Sequence, residues 1–145
     1  MQQAASPGHV AIVTGANQGI GAATAKALAA RGVAVLCTYL RLPKPADGEP
    51  TGGELEDRYH SARSRDGSAV VDEIRRAGGR AEAFEADLSD PATARMLFDV
   101  AEERLGPVDI LINNASGWVQ DTFTPASADR FGRELRPVTA ETWSR

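Results

Sequence analysis

Cysteine is almost missing from this chain: Cys37 stands alone among 145 residues, so no internal disulfide can form. Histidine occurs only as His9 and His60, far apart and in different settings. No Cys, His or carboxylate group has metal-ligand spacing, so no metal site is expected. No apolar run approaches the roughly 20 residues that cross a bilayer, which excludes a transmembrane helix and a membrane partner. Positive charge is short as well, with 16 Lys and Arg against 20 Asp and Glu and a formal charge of -4. Without a basic stripe interleaved with aromatics, nucleic acid is excluded as a partner. Met1 to Gly8 shows no basic stretch leading into an apolar one, so no secretory leader is read and the expected location is cytoplasmic. Aromatics are only 6%, yet hydrophobic residues reach 42%, enough for one core and a single domain over 1–145.

What the chain does have is glycine in a particular place. The apolar run Val10-Ala11-Ile12-Val13 leads into Thr14-Gly15-Ala16-Asn17-Gln18-Gly19-Ile20-Gly21, which opens a helix-like stretch from Ala22 to Arg31. A chain that leaves a strand and turns at once into a helix needs a backbone conformation that a side chain obstructs, which suits Gly15. Gly19 lets a ligand approach the main chain, and Gly21 lets the helix pack close to the strand. The first N–H groups of that helix and the positive end of its dipole then face the ligand, so the expected guest is an anion such as a nucleotide pyrophosphate. The spacing is Gly-x-x-x-Gly-x-Gly and not G-x-G-x-x-G, because Thr24 stands where the last glycine would be. Bare glycines also fit an ordinary loop; the flanking strand and helix favour nucleotide binding.

Downstream, strand and helix signals alternate. The first helix closes at Arg31-Gly32, and Val33 to Cys37 reads as a second strand. Val70, Val71 and Ile74 lie at helical spacing in a helix that starts around Ser68 and stops at Gly78-Gly79. Ala81 to Glu85 is a third strand. Ser89-Asp90-Pro91 then supplies a cap and a first-turn proline for a helix with Leu97, Val100, Ala101 and Leu105 on one face. That helix ends at Gly106-Pro107, and Val108 to Ile112 is a fourth strand, apolar at nearly every position. Continuous apolar strands alternating with helices predict an α/β fold with a parallel sheet covered on both faces. Asp87-Leu88 follows the third strand and Asn113-Asn114 the fourth. Taken singly these read as a helix-cap cluster and a polar strand exit. Together with the glycine turn they all fall at carboxyl ends of strands, where open α/β sheets bind ligands.

Thr14 to Gly21 resembles the TGxxxGxG cofactor motif of the short-chain dehydrogenase/reductase family, Asp87-Leu88 its adenine-contacting pair, and Asn113-Asn114-Ala115 its NNAG motif. The resemblance covers essentially the whole chain, but only the cofactor-binding first half of a typical member. It implies a Rossmann-like doubly wound parallel sheet, here incomplete with about four strands of the usual seven. It also implies an NAD(P)-dependent oxidoreductase that moves a hydride between a nicotinamide dinucleotide and a small-molecule alcohol or carbonyl. By the same resemblance Thr14, Gly15, Asn17, Gln18, Gly19, Ile20 and Gly21 form the phosphate loop. Asp87 accepts from the adenine amino group, the Leu88 backbone meets the ring, and Asn113 and Ala115 line the adenosine ribose. Full-length members are expected to be homo-oligomers. Ser116 stands where the family has glycine, and a left-handed backbone there would strain serine by about 1 kcal/mol or more.

Which dinucleotide is used turns on the end of the second strand, where NAD users place a carboxylate on the ribose hydroxyls. The corresponding residue is Tyr39, with Arg41 two positions on, so both join the cofactor-binding set and NADP is preferred over NAD. Gln18 replaces the family's usual basic residue, which keeps that preference weak, and Arg41 equally fits a solvated surface charge.

Leu42 to Gly67 is an insertion rich in proline, glycine and charge, not expected to pack regularly from its start. Leu55 and Tyr59 in its second half are spaced for one helix face, and it is read as a flap over the cofactor's ribose or as a surface insertion. Cys37, in a buried strand, reads as inert packing. Ser116 has no histidine nearby in sequence for a hydrolase triad, and Trp118 and Phe123 read as apolar packing or as a border to the nicotinamide. Family members carry a serine and Tyr-x-x-x-Lys for proton transfer, but neither Tyr39 nor Tyr59 has lysine four positions on, so no catalytic residue is assigned. The chain is therefore expected to be the cofactor-binding part of a longer enzyme. Val108 to Ile112 would then form an apolar sheet edge guarded by Asp109 alone, and Pro137 to Ala140 a helix start too short to stand by itself. A non-catalytic nucleotide-binding or protein-interaction module using that edge is the alternative.

Overall fold

Four short segments lie side by side as parallel strands in a computed structural model of the chain. The structure describes residues 8–41, 61, 64–116, 122–123, 126–132 and 134–140. Most of the insertion after the second strand, with Leu55, Tyr59 and His60, lies outside the described residues, as does Trp118. The chain divides into two compact units, Met1–Ala115 and Ser116–Arg145.

In the first unit the order is β1 (Val10–Val13), α1 (Gly19–Ala29), β2 (Ala34–Tyr39), α2 (Ser68–Arg76), β3 (Ala81–Glu85), α3 (Pro91–Arg104) and β4 (Ile110–Ile112). The sheet runs β3-β2-β1-β4, with Ile12 registered against Leu36 on one side and Leu111 on the other. The chain thus builds outward from β1 to β3 and returns to place β4 on β1's other flank. That reversal opens a crevice beyond the carboxyl ends of β1 and β4.

Successive strand residues point to opposite faces, and the core divides accordingly. Ala11, Val13, Val35 and Cys37 pack with Ala22, Ala25 and Ala29 of α1 and Val70, Val71 and Ile74 of α2. On the other face Ile12 and Leu36 meet Leu97 and Ala101 of α3. Helices on both faces of a parallel sheet make the doubly wound Rossmann-like arrangement expected. Full burial of Ile12 and Leu36 stabilises the fold by about 1.5–3 kcal/mol for each side chain. Cys37 is fully buried, and burial pushes its thiol up to about 12, so it stays protonated and unreactive at neutral pH.

Element boundaries depart from the sequence reading where pairing decides them. β2 runs on to Tyr39 because Thr38 and Tyr39 register with Phe84 and Glu85 of β3. β4 is shorter than expected. Val108 packs into the α3-side core, and Asp109 ties the strand's entry to β1. Its Oδ1 accepts the Val10 N–H at 3.0 Å, its other oxygen contacts His9 Nδ1, and its own N–H donates to the Val10 carbonyl at 3.2 Å. The expected cover on both faces also fails at β4: Ile110 and Ile112 pack on the α1 and α2 side, while Leu111 is 47% exposed. At α3 the expected cap is present, with Asp90 Oδ1 accepting the Ala92 N–H at 2.9 Å and Pro91 in the first turn.

The second unit is held by short bridges pairing Thr122 with Pro137 and Ala128 with Glu134. At the expected helix start, Pro137 is bridged to Thr122 and the Val138 N–H donates to the Thr122 carbonyl at 2.9 Å, so Pro137 and Val138 are not helical.

Candidate functional site

The glycine turn is fastened to the ends of three strands. Thr14, at the exit of β1, donates its N–H to the Ile112 carbonyl at 3.0 Å, and the Ala16 N–H reaches the Thr38 carbonyl of β2 at 2.9 Å. The Thr14 hydroxyl accepts the N–H groups of Asn114 and Ala115 at 3.0 and 2.9 Å, and the Asn114 side-chain amide donates to the carbonyls of Thr14 and Gly15 at 3.0 and 3.2 Å. Asn114 is thus the staple of the site, flanked by Asn113 and Ala115, the residues expected at the ribose. Both neighbours are exposed beside the loop. A second polar residue at a strand exit opposite a threonine at the next strand's exit was the signal for Asn114.

This staple explains Gly21, whose place no other residue can take: a Cβ there would stand 2.2 Å from the Gly15 carbonyl oxygen and 2.5 Å from the Asn114 amide nitrogen. Gly19 differs, with a positive φ of 54° and open space where a Cβ would go. Between them α1 begins without a side-chain cap. Gln18 is extended, makes no capping hydrogen bond, and no acidic residue occupies the first turn. The leading N–H groups of α1 are therefore left to an external acceptor, beside a helix dipole that favours negative charge. Ile20, in the first turn, is 79% exposed. An uncapped helix, a glycine surface open to close approach and an uncovered apolar side chain fit a dinucleotide with its pyrophosphate at the helix end.

The remaining candidates divide. Asn17 donates its side-chain amide to the Arg65 carbonyl at 2.9 Å, which fixes the end of the insertion against the phosphate loop. Tyr39 packs its ring over Gly67, at the entrance to α2. Arg41 is not a free cation: its Nε lies 3.1 and 3.0 Å from the two carboxylate oxygens of Glu85 and its Nη2 2.6 Å from one of them, while its own N–H donates to Glu85 at 3.1 Å. The pair holds Glu85 below the usual carboxylate range and raises Arg41 further. Asp87 accepts the Ser89 N–H at 2.9 Å, and the Ser89 backbone and hydroxyl hold its carboxyl below the usual range. It is thus the cap-like turn that such residues form alone, placed at the carboxyl end of β3, with Leu88 beside it 45% exposed. Ser116 carries no left-handed strain, since every positive φ among the described residues belongs to glycine.

Among the described residues no group of three or more His, Cys, Asp or Glu could hold a metal, and no helix is long and apolar enough to cross a membrane. A cavity of about 440 Å³ lined by Lys26, Ala29, Glu73, Ile74 and Gly79 lies toward the carboxyl ends of α1 and α2, away from the loop.

Residues 9–50 and 57–136 match the family model for short chain dehydrogenases. The chain is 38% identical over 130 residues to versicolorin reductase of Emericella nidulans, covering 87% of this chain and 41% of that protein. It is 37% identical over 123 residues to an NADPH-dependent aldehyde reductase-like chloroplastic protein of Arabidopsis thaliana, covering 84% and 40%. A blue fluorescent protein from a metagenomic library, solved in complex with NADPH, superposes with a TM-score of 0.61 at 34% identity, covering 94% of this chain and 43% of the other. The chain thus spans about two fifths of the length of these relatives.

Proposed function

The chain belongs to the short-chain dehydrogenase family, and on that footing we propose that it forms the dinucleotide-binding part of an NAD(P)-dependent oxidoreductase acting on an alcohol or carbonyl. The observation that carries this reading is the uncapped amino end of α1 behind the Thr14 to Gly21 loop, at the point where the sheet's strand order reverses. The loop's backbone and the first turn of α1 would hold the pyrophosphate. Asp87 and Leu88 would meet the adenine, and Asn113 and Ala115 the adenosine ribose. Bound there, a nicotinamide dinucleotide supplies or takes up the hydride exchanged with the substrate carbon. This chain's residues bind and orient the cofactor, and no catalytic residue is assigned to it. NADP is the preferred form in this reading, supported by a relative named as NADPH-dependent and by the NADPH bound in one similar solved structure.

Gln18→Asp tests the reading without threatening the fold. A carboxylate at this position caps α1, which stabilises a helix by about 1 kcal/mol, but it occupies the donors the pyrophosphate needs and repels it. Calorimetric titration with NADP+ and NAD+ should show affinity for both falling at least about tenfold while the melting temperature holds or rises. Unchanged binding would refute the proposed site.

A further inference from the structure

We infer that Glu85 is a cofactor-selectivity residue that acts through Arg41, holding the arginine away from a 2′-phosphate; this rests on the dinucleotide reading above. Ala16 N–H bonds to the Thr38 carbonyl and Ala86 N–H to the Tyr39 carbonyl, at 2.9 and 2.8 Å, so the phosphate loop and the exits of β2 and β3 form one continuous rim. The ribose hydroxyls of a dinucleotide are met at the end of β2, and Arg41 is the cation two residues beyond it. A guanidinium recognises a phosphate as it does a carboxylate, through two N–H groups along one edge. In Arg41 the Nε and Nη2 edge is already closed on both oxygens of Glu85, at 3.1, 3.0 and 2.6 Å. Glu85 also accepts the Arg41 N–H at 3.1 Å, so main chain and side chain are drawn to one carboxylate.

A second acid deepens the effect. Asp66 is held by the Ser68 N–H and hydroxyl at 3.1 and 2.6 Å, near enough to act electrostatically on both Arg41 and Glu85. One cation therefore faces two carboxylates, and a 2′-phosphate must compete with Glu85 for the guanidinium while adding its own negative charge. A ribose bearing a 2′-hydroxyl has no such contest. The pair makes the selectivity adjustable by a residue on β3, 44 positions from the arginine it controls.

Glu85→Gln is the test, because glutamine keeps an oxygen for the Arg41 N–H and removes only the charge. In titrations of the whole chain, NADP+ affinity should rise about fivefold while NAD+ affinity stays within about twofold. In the Arg41→Ala background the same change should leave the NADP+ to NAD+ ratio unaltered. Equal changes for both dinucleotides, an unmoved ratio, or a gain that persists without the arginine would each overturn the inference and leave the binding site standing. Failure of both dinucleotides to bind the unaltered chain would remove the cofactor reading and this inference with it.

Discussion

Thr14 concentrates more of the site than any glycine does. It is 4% exposed, and its hydroxyl accepts two main-chain N–H groups from the segment that follows β4. Valine has nearly the same shape but cannot accept either bond, so Thr14→Val strands two part-buried donors. The expected loss is about 2–4 kcal/mol, seen as a lower urea midpoint at unchanged slope, with Thr14→Ser close to wild type. At this scale the sequence was legible where a residue's role is local. Gly19 and Gly21 stand where a turn into a helix demands them, and spacing alone located them. Asn114 and Glu85 escaped because their partners lie 100 and 44 positions away. A strand-end glutamate announces no such contact, and a strand-exit asparagine does so only once the threonine it faces across the sheet is known.

Helices announce their ends and strands do not, which decides how far the elements could be read. The start of α3 followed from Asp90-Pro91, since a cap and a first-turn proline are chemical statements about a helix terminus. Asp90→Ala removes the acceptor for the Ala92 N–H and should cost about 1 kcal/mol. Chemical denaturation checks it, with Asp90→Asn restoring most of the loss. The limits of β2 and β4 follow instead from which residues find partners in adjacent strands. Thr38 and Tyr39 extend β2 because β3 offers Phe84 and Glu85, and β4 begins late because Asp109 is bound to the entry of β1. Leu111 shows the same limit. An apolar residue in an apolar run was expected to be covered, but its exposure depends on what packs over it, not on its own type.

Across the whole molecule, carboxylates serve as fixed acceptors, and this sets how the fold answers to acid. Asp66, Glu73, Glu85, Asp87 and Asp109 are all held below the ordinary carboxylate range: Asp66 and Asp87 by serine donors, Glu73 by Lys26, Glu85 by Arg41, and Asp109 by His9 and the Val10 N–H. A carboxyl with a depressed folded value binds fewer protons in the native state than in the unfolded chain. Its contribution is therefore complete above the unfolded value near 4 and is lost as pH falls through the lower folded value. The melting temperature should thus be level near neutrality and fall steadily from about pH 5 downward. Asp109→Asn separates the strand clamp from the rest. The amide keeps an acceptor for the Val10 N–H but cannot be titrated, so the variant should melt below wild type at pH 7 and converge with it below about pH 3. Parallel melting curves with a constant gap would mean that Asp109 contributes shape and not charge. Among the described residues, Asp66, Glu73, Glu85 and Asp87 would then have to account for the acid response.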